Sequence, residues 1–260
     1  MVNAEPITRV LDGETLLLGI NRPERKNALT AAMYRSLADS LTYANAHDII
    51  RVVLIHGTQE VFCAGNDIAD FARQDAGEGG SPSAPFMRAL IAMDKPVIAA
   101  VNGPAVGIGA TMLLHCDLVF GGSAAQLSFP FTRLGVCPEF ASSLLLAKTL
   151  GYQRAAELFF LGESVGSRAA LEMGLFNAVH PPEEVMAQAQ GVARRLCGMS
   201  QQSLRTTRRL IRPDKDVLLA RVDQEAREFS ALKNTPEAQA AFAAFLQRGR
   251  RLPEQPTQSP

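Results

Sequence analysis

Apolar positions along this chain recur in two rhythms. In the first half, short and nearly unbroken apolar runs at 7–11, 15–20, 51–56, 95–100, 116–120 and 126–129 predict strands. Asp12-Gly13-Glu14 between the first two reads as a hairpin turn. Between runs, apolar residues return every three or four positions. Met33, Leu37, Leu41 and Ala44 mark a helix that Thr30 caps, and 85–93 reads as a shorter one. From Pro138 onward the pattern is helical, at 140–150, 153–161, 167–173, 183–197, 203–211, 217–232 and 236–247. Gly151, Gly162, Gly166 and Gly174 are expected as C-caps or turns, and 177–179 as a last short strand. Leu218, Val222, Ala226, Phe229 and Leu232 form one late stripe; Ala238, Phe242, Phe245 and Leu246 form another. Both are expected as core or subunit contacts. Strands alternating with helices predict an α/β fold with crossover connections.

Two places leave a strand through small residues. Val101-Asn102-Gly103-Pro104-Ala105-Val106-Gly107 follows one strand and leads into a helix marked by Ile108, Met112 and Leu113. A helix start leaves its first N–H groups without intrahelical partners, and glycine lets another molecule approach them. Such a corner can hold an anion or a developing oxyanion, and an ordinary strand–helix crossover has the same look. The second corner is Val61-Phe62-Cys63-Ala64-Gly65-Asn66-Asp67-Ile68, where Asp67 is suited to capping the turn. Residues 74–85 are rich in Gly, Ser, Ala and Pro and read as a surface loop.

Composition narrows the classes. Of 260 residues, 47% are hydrophobic and 20% charged, ordinary globular material with room for a sizeable core. A formal net charge of zero gives no global field for nucleic acid. Arginines cluster late, at 194, 195, 205, 208, 209, 212, 248, 250 and 251, either on solvated helix faces or around a phosphorylated ligand. Four scattered cysteines and four histidines lack metal-ligand spacing, so reduced thiols and no metal site are expected. There is no apolar run of membrane-spanning length and no leader pattern, so a cytoplasmic protein without membrane contact is expected.

Several ordered motifs resemble the crotonase (enoyl-CoA hydratase/isomerase) superfamily. They are Asn21-Arg22-Pro23 with Asn27-Ala28-Leu29, the corner 62–68, the run 95–103 with its glycine turn, Cys116-Asp117-Leu118, and Gly174-Leu175-Phe176-Asn177-Ala178-Val179. The resemblance implies a crotonase-like spiral of ββα units over 1–198 and a helical trimerisation region over 199–260. It implies a homotrimer or dimer of trimers, an acyl-CoA thioester as substrate, and no cofactor beyond the coenzyme A carried by that substrate. It also implies an oxyanion hole for the thioester carbonyl, with the backbone N–H groups of Asn66 and Ile108 as donors. For CoA it suggests Arg25, Lys26 and Ala28, with Ala64, Asp67, Ile68 and Gly107 along the way to the thioester and Arg248 near the 3′-phosphate.

The acids decide between members of that superfamily. Its hydratases use two glutamates around one water; here Thr111 stands at the first position and Phe131, after Pro130, at the second. One acid remains in Leu134-Gly135-Val136-Cys137-Pro138-Glu139-Phe140. That pattern is similar to the peroxisomal-type Δ3,Δ2-enoyl-CoA isomerases, in which a glutamate at this position is the single acid/base. Phe131 and Phe140 are then expected to supply an apolar pocket that raises its pKa. Glu139 after Pro138 also has the form of an ordinary helix start. Asp70 is a second candidate acid. The leading expectation is an enoyl-CoA isomerase. The alternatives are an enoyl-CoA hydratase, a hydrolase or another superfamily reaction, and a non-catalytic acyl-CoA-binding relative.

Overall fold

A computed structural model describes residues 5–68, 70 and 81–250, with backbone alone for 248–250. Strands β1 (Ile7–Asp12) and β2 (Thr15–Ile20) form the expected antiparallel hairpin. Strands β3 (Val52–His56), β4 (Val97–Val101), β5 (Pro104–Val106), β6 (Leu118–Gly122), β7 (Gln126–Ser128), β8 (Ser164–Gly166) and β9 (Ala178–His180) follow. The main sheet has the order β1-β2-β3-β4-β6-β9 and is parallel from β2 onward. A second sheet has the order β5-β7-β8.

Parallel strands joined by crossovers need cover on both faces, which is why β3 and β4 are apolar at nearly every position. Alternate side chains sort by face. Leu16, Leu18, Val53, Ile55, Val97 and Ala99 join the larger core with Met33, Leu37 and Leu41 of helix α1 (Ala31–Ala46). Helix α2 (Ala84–Ala92) packs against α1 and adds Phe86, Met87, Leu90 and Ile91. Leu17, Val52, Leu54, Ile98 and Ala100 face the other way. Among the later helices, which run from α3 (Ile108–Thr111) through α4 (Ser142–Leu150), α5 (Tyr152–Leu161) and α6 (Ser167–Glu172), it is α7 (Val185–Cys197) that covers this second face. The Thr30 hydroxyl accepts from Met33 N at 3.3 Å and caps α1. At the far end of that helix Lys95, although 1% exposed, donates from Nζ to the carbonyls of Ala44 and His47.

Helices α8 (Gln201–Ile211), α9 (Lys215–Lys233) and α10 (Pro236–Arg250) complete the described residues and dock on the core through polar groups as well as apolar ones. Arg208 is buried, donates from Nε to Asp117 at 2.8 Å, and reaches the Met93 carbonyl. This late arginine is therefore a tie between α8 and the edge of β6, neither a solvated charge nor a phosphate contact. Of the first late stripe, Leu218 and Val222 are buried, but the buried face continues through Glu225 and leaves Ala226 exposed. In the second, Ala238 and Phe242 are buried and Phe245 is exposed.

Other expectations shift by a few residues. The glycine turn after β4 contains β5, which feeds the second sheet, and Gly166 lies in β8 and precedes α6 instead of ending a helix. The helix expected from residue 140 starts at Ser142, because Phe140 and Ala141 are left-handed with φ 64° and 54°. The helix after Gly107 is one α turn followed by a 3-10 turn over Met112–His115. The chain has only that distance to cover before Asp117 N joins Val97 O beside β4. Of the stretch 74–85, residues 74–80 lie outside the described residues, and Ala84 and Pro85 already belong to α2.

Candidate active site

The two corners are pressed against each other. Cys63 bridges to Ala105 in parallel register, with Cys63 N donating to Pro104 O at 3.1 Å and Val106 N to Cys63 O at 2.9 Å. Glycine is required for this approach: a Cβ on Gly109 would stand 2.4 Å from the Cys63 carbonyl. Further along, Ala64 N donates to Lys26 O at 3.0 Å, Leu29 N to Gly65 O at 2.8 Å and Asp67 N to Leu29 O at 2.9 Å. These bonds bring the segment with Arg25, Lys26 and Ala28 alongside Ala64–Ile68. These N–H groups are thus consumed, whereas those of Asn66, Ile108 and the adjacent Gly109 find no acceptor among the described residues. Since α3 is a single turn, its macrodipole is small, and what the second corner offers is the unpartnered Ile108 N–H itself.

The acids around the corners differ in what holds them. Asp67 accepts from Arg22 at 2.7 Å, and Asp70 accepts from Ala31 N at 2.9 Å at the start of α1. Glu225, which reaches in from α9, accepts from Ala141 N and from the N–H and hydroxyl of Ser143. Glu139 stands apart: it is 9% exposed, and its Oε1 is buried with no hydrogen-bond partner. Burial, and then the charge of Glu225, push its carboxyl up to about 8. Glu139 does not cap α4; two left-handed residues separate it from that helix.

The residue after Glu139 packs among rings. Phe140 stacks on His115 with ring centroids 4.0 Å apart and meets Phe86 edge-on at 5.8 Å. His115 Nε2 lies 2.7 Å from the Phe140 carbonyl, so Nε2 carries the proton and donates it. Burial pushes the His115 imidazole down to about 3, and it stays neutral. Phe86 adjoins Tyr34, whose hydroxyl donates to Asn66 Oδ1 at 2.5 Å. Burial raises Tyr34 and Cys63 above their ordinary values, and the charge of Glu139 raises both further. Glu139 is therefore electrostatically coupled to the two residues that flank the first corner.

Arg25 and Lys26 are exposed, Ala28, Ala64, Ile68 and Gly107 half-buried. Thr111 is fully buried, and its hydroxyl has no partner. Phe131 does not pair with Phe140; its ring lies against Phe159 of α5 at 6.2 Å. The Arg248 side chain lies outside the described residues. All four cysteines are free, and among the described residues no His, Cys, Asp or Glu cluster could hold a metal and no helix is long and apolar enough to cross a membrane. Sequence reasoning missed Tyr34, Phe86, His115 and Glu225. Glu225 carried a signal, since it lies three residues after Val222 and seven after Leu218, on the apolar face of its helix.

The model of the enoyl-CoA hydratase/isomerase family matches residues 13–254. The 2,3-dehydroadipyl-CoA hydratase of Escherichia coli is 32% identical over 235 residues, 90% of this chain and 92% of that protein. Enoyl-CoA delta isomerase 2 of Rattus norvegicus is 29% identical over 248 residues, 93% of this chain, which spans 63% of the rat protein. The solved structure of Pseudomonas aeruginosa OdaA is 43% identical with a TM-score of 0.91, covering 94% of this chain and 100% of that one. A matched model over most of the chain, with the fold and both corners in place, shows that this protein belongs to the enoyl-CoA hydratase/isomerase family.

Proposed function

We propose that the chain isomerises 3-enoyl-CoA to trans-2-enoyl-CoA, with Glu139 as its single acid/base. The observation that carries this reading is the Glu139 carboxyl: buried, raised to about 8, and with an oxygen that no protein group holds. Asp67, Asp70 and Glu225 all accept structural hydrogen bonds. A 1,3-proton shift needs one base that can return what it takes. The Glu139 carboxylate removes a C2 proton, and the electron pair moves onto the thioester oxygen as a dienolate. The N–H groups of Asn66 and Ile108 stabilise that oxygen. The same carboxyl then protonates C4, so the proton count closes without water.

Hydration asks for a second carboxylate to hold the water, and Thr111 and Phe131 occupy the positions where the family resemblance places its acids. The hydratase reading draws support from the name of the Escherichia coli relative, with Glu139 acting through water. In both readings Arg25, Lys26, Ala28, Ala64, Asp67, Ile68 and Gly107 border the CoA and thioester path, with Thr111, Phe131 and Phe140 on the acyl side. The chain works as a trimer or dimer of trimers in the cytoplasm and uses no cofactor beyond the coenzyme A of its substrate.

The test is to incubate the protein with 3-hexenoyl-CoA and with crotonyl-CoA and to repeat both with Glu139→Gln. The expected result is conjugation of the first substrate, little hydration of the second, and loss of about 10³-fold in kcat with unchanged acyl-CoA binding in the variant. Near-normal turnover by Glu139→Gln would sink the assignment. Hydration without isomerisation would move it to the hydratase reading, and binding without conversion of either substrate to a non-catalytic acyl-CoA binder.

A further inference from the structure

Helix α4 starts without a cap of its own. Ala141 at the N-cap position has no side-chain oxygen and a left-handed backbone. The cap comes from the far end of the chain. Glu225 Oε2 accepts from Ala141 N at 2.6 Å, and Oε1 accepts from Ser143 N at 3.0 Å and from the Ser143 hydroxyl. Arg221, one turn back on α9, donates to the same hydroxyl at 3.2 Å. Burial raises the Glu225 carboxyl above its ordinary value although it is bound as a carboxylate, since every partner of its oxygens is a donor and the bonds from Ser143 and Ala141 pull it back down.

A second acid stands within reach of that helix start. Glu139 lies two residues before Ala141, and Ser142 N donates to its backbone carbonyl at 3.2 Å. Open N–H groups at a helix start attract any carboxylate nearby. A carboxylate that accepts such bonds is stabilised in its charged form and becomes a weak base. With Glu225 seated there, Glu139 keeps an unpartnered oxygen. We propose that Glu225 is a positioning residue, which by occupying the start of α4 keeps the Glu139 carboxyl out of it and available to the paired corners. This rests on the reading of Glu139 as the acid/base. The titratable and charged groups around Glu139 are Tyr34 from α1, Cys63 from the first corner, Cys137 from its own segment, and Glu225 with Arg221 and Glu228 behind it on α9. Of these, Glu225 is the one whose charge acts on Glu139 directly and in the direction that favours its proton.

The experiment compares wild type, Glu225→Gln and Glu139→Gln, each carrying ¹³C-carboxyl glutamate. The resonance missing from Glu139→Gln reports the Glu139 carboxyl without any turnover. In Glu225→Gln its midpoint is expected to fall by about one pH unit or more, through loss of the like charge and freedom to bond the helix start. The kcat for 3-hexenoyl-CoA is expected to fall about tenfold with KM within about twofold, because the base is altered and the binding surface is not. An unmoved resonance overturns the proposal, even where Glu225→Gln lowers stability or yield. Should Glu225→Gln fail to fold, Ser143→Ala decides: it removes one donor to Glu225, and a smaller downward shift supports the proposal while none overturns it. An active Glu139→Gln would remove the acid/base reading, and the resonance would still report whether Glu225 governs that carboxyl.

Discussion

Glu139 combines two properties that pull in opposite directions with pH. As the proposed base it must be deprotonated, and burial with the Glu225 charge nearby holds its carboxyl at about 8. The kcat/KM for a 3-enoyl-CoA is therefore expected to rise with pH to a midpoint near 8 and then level off, measured across pH 6 to about 9.5. A flat profile over that range would leave no room for a base of this kind. Stability runs the other way. The folded carboxyl titrates above its ordinary value of 4.5, so the folded state binds the proton more tightly than the unfolded chain. That contribution is complete below about pH 4.5, is lost as pH rises toward 8, and stays lost above it. Glu139→Gln does not titrate, so its stability relative to wild type is expected to grow across that window, by about 1.4 kcal/mol for each pH unit at most, as read from denaturant melts at pH 5, 7 and 9. His115 beneath Phe140 acts in the opposite sense: burial holds it down to about 3, so its contribution to stability grows as pH rises from there to its ordinary 6.5, but it is common to both proteins and cancels in their difference.

At the scale of elements, the candidate site is made by close approach of two turns, and Gly109 is one place where that approach admits no side chain. A methyl at that position would overlap the Cys63 carbonyl and drive α3 away from the first corner. Overpacking of this kind costs about 1–3 kcal/mol. More telling is the expected loss of about 10²-fold in kcat for Gly109→Ala, because displacing one N–H of the proposed pair would forfeit its share of oxyanion stabilisation. A variant that melts lower yet turns over normally would separate the corners from the chemistry. Both corners were legible in the sequence because a strand ended in small residues at each, and the Asp12–Glu14 hairpin and the Thr30 cap were legible from turn and cap chemistry. Strands β5 and β8 were not, since Pro104-Ala105-Val106 and Ser164-Val165-Gly166 lie among glycines and turn residues and make no apolar run. The start of α4 was misplaced because nothing in Glu139-Phe140-Ala141 signals two consecutive left-handed residues. That backbone persists through partners distant in sequence, His115 on the Phe140 carbonyl and Glu225 on the Ala141 N–H. The same distance hid Glu225: the late stripe was read through Ala226, one residue away from the face that is buried.

On the scale of the whole molecule, the C-terminal helices have an inner side and an outer side. Inward, Leu218, Val222, Ala238 and Phe242 are buried, Arg208 ties α8 to Asp117, and Glu225 reaches the start of α4. Outward, Leu210 and Ile211 are 76% and 75% exposed at the end of α8, and Val217 is exposed on the first turn of α9. Single exposed apolar residues are ordinary; neighbouring ones that include the two most exposed large hydrophobic side chains among the described residues mark a surface that gains from being covered. The proposed trimer would cover it with further copies of the same helices. Light scattering on the eluting wild-type protein is then expected to give three or six times the 28.0 kDa of one chain. Leu210→Glu with Ile211→Glu is expected to give a single chain, because two carboxylates would have to be desolvated at the contact. Both side chains are exposed and neither joins the core, so the dissociated variant should keep its circular dichroism and bind acyl-CoA. A wild-type protein that elutes as one chain at micromolar concentration would rule out the assembly, and an unchanged oligomer in the double variant would place the contact elsewhere, with Tyr152, Phe160 and Leu161 on α5 as another exposed apolar set. Since α9 carries Glu225 on one side and begins at the exposed face on the other, the dissociated variant also tests whether assembly steadies the helix that holds the start of α4. A fall in kcat without a change in acyl-CoA affinity would show that it does, and an unchanged kcat would show that the single chain holds that helix by itself.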